Sequence, residues 1–447
     1  MCVRNETSKR ILLWFRNDLR LTDHEPYAAA VQSGAEVLPV YCIDPVLFEE
    51  TPFGFTRAGT HRLTFLRECI QALAEELAAL GGQLYVTVGK PEQVLPELCR
   101  SYHVQQVYAA QEEGTEEQAT ATRTEKALQA LQVPVNWFAG NFLIHPEDLP
   151  FPVKQVPEVF TEFRKKAERD LSIRTCCEVY ATPRFIAHQL TNDFGELQMQ
   201  TQDVQVPFFT GGSRAAKERL SAYVWQTDGL RVYKETRNGL LGEHFSSRFS
   251  PWLATGCISA REIWHEVKRY EHEVIANSST YWLIFELMWR DYFRFMLRKH
   301  GGNVFTLQGI QQTKQIWSED RTAFEQWRTG QTGVPLVDAA MRELLATGFM
   351  SNRARQNAAS FLTKTMGINW LWGAAWFEHA LIDYDVASNY GNWNYVAGVG
   401  NDPRNRTFNV YKQAREYDKD AKYIKNWIKE LEQADTGEIM RDGFKYM

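Results

Sequence analysis

Cysteine is scarce and poorly placed for chemistry. The seven cysteines (2, 42, 69, 99, 176, 177 and 257) include no CxxC-type spacing, which excludes a cysteine metal centre, and their odd count argues against a disulfide framework. Cys176 and Cys177 are adjacent in the chain, a poor arrangement for an ordinary bridge, so all seven are expected to be reduced and mostly structural. No apolar run approaches the length that spans a bilayer. The opening stretch MCVRNETSKRILLWF holds too short an apolar segment for a secretory signal. A cytoplasmic protein without membrane contact is the expectation. No GxGxxG follows the first apolar run and no GxxxxGK[ST] occurs anywhere, which counts against a conventional dinucleotide or P-loop site. Internal repeats and low-complexity tracts are absent.

What is present divides in two. At 447 residues the chain exceeds the size at which single cores stop growing. Residues 1–150 carry 12 Lys+Arg against 20 Asp+Glu, whereas the remainder carries 38 against 35. Between Trp282 and Lys364 basic residues outnumber acidic ones, 11 to 7, so a locally basic face suited to phosphates sits on a globally acidic protein. Tryptophan is skewed as well, with 11 of 14 after residue 250.

The first 140 residues alternate β-rich apolar runs (10–15, 36–42, 83–88, 104–110, 134–138) with amphipathic helical stretches (61–80, 91–98, 116–131). That alternation predicts an α/β doubly wound parallel sheet over residues 1–138. Ligands on such sheets bind outside the carboxyl ends of the strands, which here include Arg16–Arg20. Residues 139–210 read as an irregular, proline-rich connector. From 211 to 447 the periodicity is helical throughout, predicting an all-α domain, with EQADTGEIMRDGFKYM as a loosely held tail.

The densest chemistry lies in 334–413. Asn352, Arg353, Arg355, Gln356 and Asn357 fall within two turns of an otherwise Ala- and Leu-rich stretch, followed by Asp383, Asp385, Asn389, Asn392 and Asn394. One reading is a solvated helix face plus a loop. The other is a cavity for a large polar ligand, since so many polar groups among apolar ones are costly to bury unpartnered; Arg355 would pair there with Asp383 or Asp385. A second cluster, SSRFSPWLATGCIS (246–259), sets hydroxyls before a Pro-started helix. Helix N-termini favour phosphate, although serine before proline is also an ordinary cap. In FELMWRDYFRF (285–295), Glu286 is the exception in an aromatic stripe, because a carboxylate in so apolar a run is rarely idle.

These segments, with RILLWFRNDLRLTDHEP and YKETRNGLLG, resemble the photolyase/cryptochrome family in order and spacing from about residue 10 to about 430. FELMWRDYFRF and LIDYDVASNYGNWNYVAGVGNDPR resemble its DASH branch. The resemblance implies FAD in the helical domain. Its phosphates and ribityl chain would be gripped at Tyr233, Ser246, Ser247, Phe249 and Ser250. Its ring would be held near Asn352, Arg355, Asp383, Asp385 and Asn389, with Asn389 facing N5. It also implies that light-excited reduced FAD donates an electron to a cyclobutane pyrimidine dimer in DNA. Glu286 and Asn352 then act at the lesion and flavin, Trp289 stacks on the lesion, and Arg237, Arg353, Gln356, Tyr395 and Gln413 contact the DNA. Trp393, Trp370 and Trp317 correspond to the electron relay. Glu116 is the expected carboxylate for an antenna pigment, 5,10-methenyltetrahydrofolate, and the partner is DNA met by a monomer.

Departures from the family pattern narrow this. Tyr395 stands where double-strand repair enzymes carry a second stacking tryptophan and Gln356 where they carry methionine, which points to single-stranded DNA. Leu371 and Ala375 replace an Arg and a Glu of DASH relatives, and DPRNRTFN is one residue short. Two alternatives stand beside repair: a blue-light photoreceptor with a signalling role, which the absence of a signalling extension weakens, and a light-independent electron-transport flavoprotein.

Overall fold

A computed structural model describes residues 9–201, 204–401 and 407–446. Each of the five apolar runs becomes a strand: β1 (Arg10–Phe15), β2 (Glu36–Ile43), β3 (Tyr85–Val88), β4 (Gln106–Ala110) and β5 (Val135–Phe138). They form one parallel sheet in the order β3-β2-β1-β4-β5, with Ile11 beside Val37 on one side and Gln106 on the other. Both faces of β1 are covered. Ile11, Leu13 and Phe15 enter one core, and Leu12 and Trp14 a second core with Leu95, Leu98 and Leu128 of the helices Pro91–Ser101 and Thr115–Gln129. Continuous rather than alternating hydrophobicity is what two-sided burial demands.

The first of those cores does not stop at the domain edge. It runs on through Tyr223, Phe249, Trp252, Ile263, Leu287 and Phe295, so the sheet and the helical domain share one apolar interior. The loop after β1 seals the joint with charge. Arg20 donates to the Gly256 carbonyl (2.9 Å), and Arg261 pairs with Asp23 (2.8 Å) and Glu25 (2.9 Å). His24 and Asp18 are bonded within the same loop (2.8 Å).

The connector is more ordered than its composition predicts. It adds a sixth strand, β6 (Arg184–Phe185), beside β2, and a helix, Phe160–Arg169. It also straps the long helix Ser278–His300: Lys299 donates to the Val156 carbonyl (2.6 Å) and His300 meets Glu158 (3.0 Å). That helix is capped by Asn277 and ends on Arg298, Lys299 and His300, matching caps and charges to its dipole. The expected helices follow at Ala260–Glu273, Pro335–Thr347 and Asn352–Ser360, the last closing in a π turn at 361–365.

The tail is not loose. Ile439 and Met440 are buried, and Tyr446 donates to buried Asp338 (2.9 Å) while Arg342 donates to its oxygen (3.1 Å); apolar side chains in a polar segment give it a core to join. Of DPRNRTFN, residues 402–406 lie outside the described residues, as does Cys2. The other six cysteines are free. No helix among the described residues is long and apolar enough to cross a membrane.

Candidate functional site

The polar residues of 352–393 line an open cavity of about 560 Å³, its mouth included. Helix Asn352–Ser360 supplies Asn352, Arg355 and Gln356. The turn at 383–385 supplies Asp383 and Asp385, and helix Val386–Ala397 supplies Ser388, Asn389 and Trp393. Of the two partners open to Arg355, the structure selects Asp383 (2.8 Å), while Arg355 also donates to the Met350 carbonyl (3.0 Å). The second Asp383 oxygen is buried with no partner among the described residues. Asp385 is held instead by Arg294 (2.7 Å), and its other oxygen caps helix Val386–Ala397 at the Ser388 amide (2.8 Å). Burial alone would raise the Asp385 carboxyl, but Arg294 and Arg290 outweigh it and pull it down to about 2. The wall is thus fixed, each of its two carboxylates paired with a guanidinium.

The serine segment approaches from another side and does not work as expected. Its helix, Ser250–Thr255, is only six residues long, too short for a substantial dipole. Positive charge comes from two arginines that sequence reasoning passed over. Arg219 is bonded to the Ser246 (2.9 Å) and Ser247 (3.0 Å) carbonyls, and Arg248 to the Gly242 carbonyl. Burial lowers both guanidinium pKa values, and Arg248 lowers that of Arg219 further. Two half-buried cations that hold carbonyls and repel each other make a place for an anion. Arg248 also lies over the Phe349 ring (5.4 Å), which Arg355 faces too (5.2 Å), so the serine loop and the cavity meet at Phe349. Phe249 and Tyr233 are buried on Tyr223. The only advance signal for Arg248 was its place between the serines of SSRFS.

A rim of charge and aromatics flanks the cavity. Glu286 is paired with Arg237, and burial raises its carboxyl pKa against the pull of that arginine. Arg353 donates to Gln356 (3.0 Å) and Asn238 (3.0 Å) and lies over the Tyr417 ring (4.7 Å). Arg237 is near enough to depress its pKa further, after burial. Gln413, one turn before Tyr417, has a buried carbonyl oxygen without a partner among the described residues. Trp289 is not an open platform: Phe160 of the connector stacks on it at 3.7 Å and 14°, and Tyr395 meets it edge-on at 5.7 Å. Phe160 gave no signal in the sequence because its partner lies 129 residues away.

Trp393 lines the cavity and Trp370 is wholly buried, whereas Trp317 is 9 % exposed. A β-carbon on Gly373 would meet the Trp393 ring at 2.2 Å, so only glycine lets that indole lie against the helix that Trp370 begins. The bridge between Ser318 and Ile368 sets the Trp317 segment beside the start of the same helix.

Glu116 lies elsewhere. It is mostly exposed and paired with Arg57. A second cleft of about 630 Å³ opens between the domains instead, where the loops after β1 and β4 part. Arg16, Arg62, Glu112, Glu113 and Glu117 line it, with Arg294 and Asp385 on the opposite wall. Burial and neighbouring Glu112 push the Glu117 carboxyl up to about 7. The divergence of β1 and β4 is the switch point at which doubly wound sheets bind ligands.

Residues 11–183 match the DNA photolyase family, and residues 282–444 match the FAD binding domain of DNA photolyase. Cryptochrome DASH of Gloeobacter violaceus is 50% identical over 432 residues, covering 95% of this chain and 86% of its own. Cryptochrome DASH of Synechocystis sp. is 49% identical over 429 residues, 94% of this chain and 88% of that protein. The crystal structure of a Synechocystis cryptochrome superposes with a TM-score of 0.93 at 47% identity over 97% of this chain and 91% of that one. A class III photolyase of Agrobacterium tumefaciens does so at 0.85 and 27% over 98% and 90%. FAD fits the unpartnered Asp383 oxygen, Asn389 and the Arg219–Arg248 pair. The chain belongs to the photolyase/cryptochrome family, in its cryptochrome DASH branch.

Proposed function

We propose that this protein splits cyclobutane pyrimidine dimers under blue light, with a preference for single-stranded DNA. With FAD bound, the chemistry supplied is donation of one electron to the dimer and its recovery once the ring has split. The protein's own groups prepare for that. Arg355 and Asp383 set a fixed dipole in the cavity wall, and Asn352 and Asn389 offer amide groups along it. The observation that carries the reading is Glu286, a carboxyl of raised pKa held by Arg237 beside the cavity. Its protonated form donates a hydrogen bond to a dimer carbonyl, where negative charge develops on reduction. Arg237, Arg353 and Gln413 hold phosphate and sugar at the rim, and Gln356 steadies Arg353. Trp289, backed by Phe160, offers one remaining face to the lesion. With Tyr395 in place of a larger ring, little stacking surface compensates for extruding a base from duplex, which favours single strands.

Trp393, Trp370 and Trp317 form the relay that returns electrons to the cavity from the surface. The antenna pigment, 5,10-methenyltetrahydrofolate, would take the interdomain cleft, whose carboxylates suit the amino and amide donors of a pterin; Glu112 and Glu117 face that cleft and Glu116 does not. The deciding experiment illuminates photoreduced protein with dimer-containing single-stranded and duplex oligonucleotides and follows dimer loss. Faster loss from the single strand is expected. Absence of loss from both, with FAD bound and photoreducible, overturns repair and leaves the photoreceptor.

A further inference from the structure

The cavity and the interdomain cleft are not separate. Both are lined by Tyr384 and Asp385, and Asp385 is held from behind by Arg294. The other end of the Arg294 guanidinium is bound to Glu113 (2.8 Å), a residue of the sheet domain in the loop that follows β4. Glu113 is 3 % exposed, and its remaining oxygen takes Arg298, one turn along the same helix (2.9 Å). The Arg294 Nε is buried without a partner among the described residues, so this guanidinium is placed by the two carboxylates at its ends. Asp385 in turn starts the helix that carries Asn389 and Trp393 into the cavity.

We infer that Glu113 is a positioning residue for the flavin cavity, acting across the domain interface through Arg294 on Asp385. The sheet domain therefore does more than lie against the helical one: one of its carboxylates completes the wall that the flavin meets. A buried guanidinium held at both ends has one orientation, whereas one held at a single end can swing. Without Glu113, Arg294 is free to turn toward Asp385 alone or toward the cleft, and the helix cap and the cavity wall lose their common reference.

This rests on FAD occupying the cavity, and its test is FAD binding by the full chain after the flavin has been stripped. Glu113→Gln is expected to weaken FAD binding by about 5- to 150-fold, the usual range of coupling between linked sites, and to blur the fine structure of the bound flavin's absorption. Arg298→Gln frees only the second Glu113 oxygen and keeps the Glu113–Arg294–Asp385 chain, so it is expected to weaken FAD binding clearly less than Glu113→Gln does. Unchanged affinity in Glu113→Gln overturns the inference, as does equal weakening in both variants with equal losses of apoprotein thermal stability. Should Glu113→Gln fail to fold, Glu113→Asp decides, because it keeps the charge but withdraws it by one methylene; wild-type affinity there overturns the inference. Failure of the wild-type chain to take up FAD sinks the cofactor reading instead.

Discussion

The cavity and the cleft are of similar size, about 560 and 630 Å³, yet their charges are arranged in opposite ways. In the cleft two of the three lining guanidinium groups are already claimed by carboxylates, Arg16 by Glu112 (2.6 Å) and Arg294 by Glu113 and Asp385, while Arg62 holds carbonyls. In and near the cavity the valences are left open. Among the described residues Asp383 keeps one oxygen unpartnered, and Arg219 and Arg248 bond to carbonyls. An unmet buried polar group costs about 1–3 kcal/mol, which is released when a ligand meets it. The cavity is therefore built to be completed by a ligand, and the cleft is built first to join two domains.

The largest effect should follow from removing the ion pair inside the cavity, Arg355 with Asp383. Arg355→Ala strands Asp383, and breaking a buried pair from one side costs about 3–5 kcal/mol. The flavin-to-protein ratio of the purified variant should fall below about one tenth of wild type, read from its visible absorption. If flavin content survives, the contrast between open and satisfied charge is wrong. Next comes Trp393→Phe, which keeps an aromatic ring against Phe377 and Gly373 and should keep FAD, but should lose photoreduction under blue light. Retained photoreduction would move the relay elsewhere.

Glu286 tests the rim. Glu286→Ala should slow repair by about tenfold or more, the worth of one hydrogen bond to a charged group, with flavin content unchanged. The sign of its pH dependence follows from burial, which raises the carboxyl pKa and keeps the proton to higher pH than in water. Repair that needs this proton therefore falls as pH rises through the raised pKa. Glu286→Gln, which keeps a donor but cannot titrate, should flatten the profile over that window. An unaltered profile in the Gln variant removes Glu286 from the chemistry.

The same contrast explains what was legible beforehand. The strands could be read because two-sided burial writes continuous apolar runs, and the cavity because its polar residues cluster within 352–393. What stayed hidden was made by partners far apart in sequence. Arg219 looked like one more charge on an amphipathic face, and nothing local tied Phe160 to Trp289 or Glu113 to Arg294, 181 residues on. Glu116 and Glu113 sit in one acidic run, AQEEGTEE. Only the helix start at Thr115 decides that Glu113 turns into the joint while Glu116 turns out to Arg57. The tail misled for a related reason, since its polar composition outweighed Ile439, Met440 and Tyr446 in a local reading.

The smallest predicted effect probes the cleft on its own terms. Glu117 is the one cleft carboxyl that burial and Glu112 push up to about 7, against an ordinary glutamate value near 4.3 in the unfolded chain. Between those values the folded state binds more protons than the unfolded one, so stability falls as pH rises from about 4.3 to about 7 and levels off above. Glu117→Gln removes the titration while keeping the side chain's size. Its melting temperature should equal that of wild type near pH 4 and exceed it by a few degrees, roughly 1–3 °C, at pH 8. A like-charge pair with Glu112 would then be an unsatisfied feature of the cleft. A ligand with amino or amide donors that binds there should narrow the difference between wild type and variant at pH 8, because it would give the second carboxylate a partner. A variant no more stable than wild type at pH 8 would mean that the cleft, unlike the cavity, carries no uncompensated charge at all.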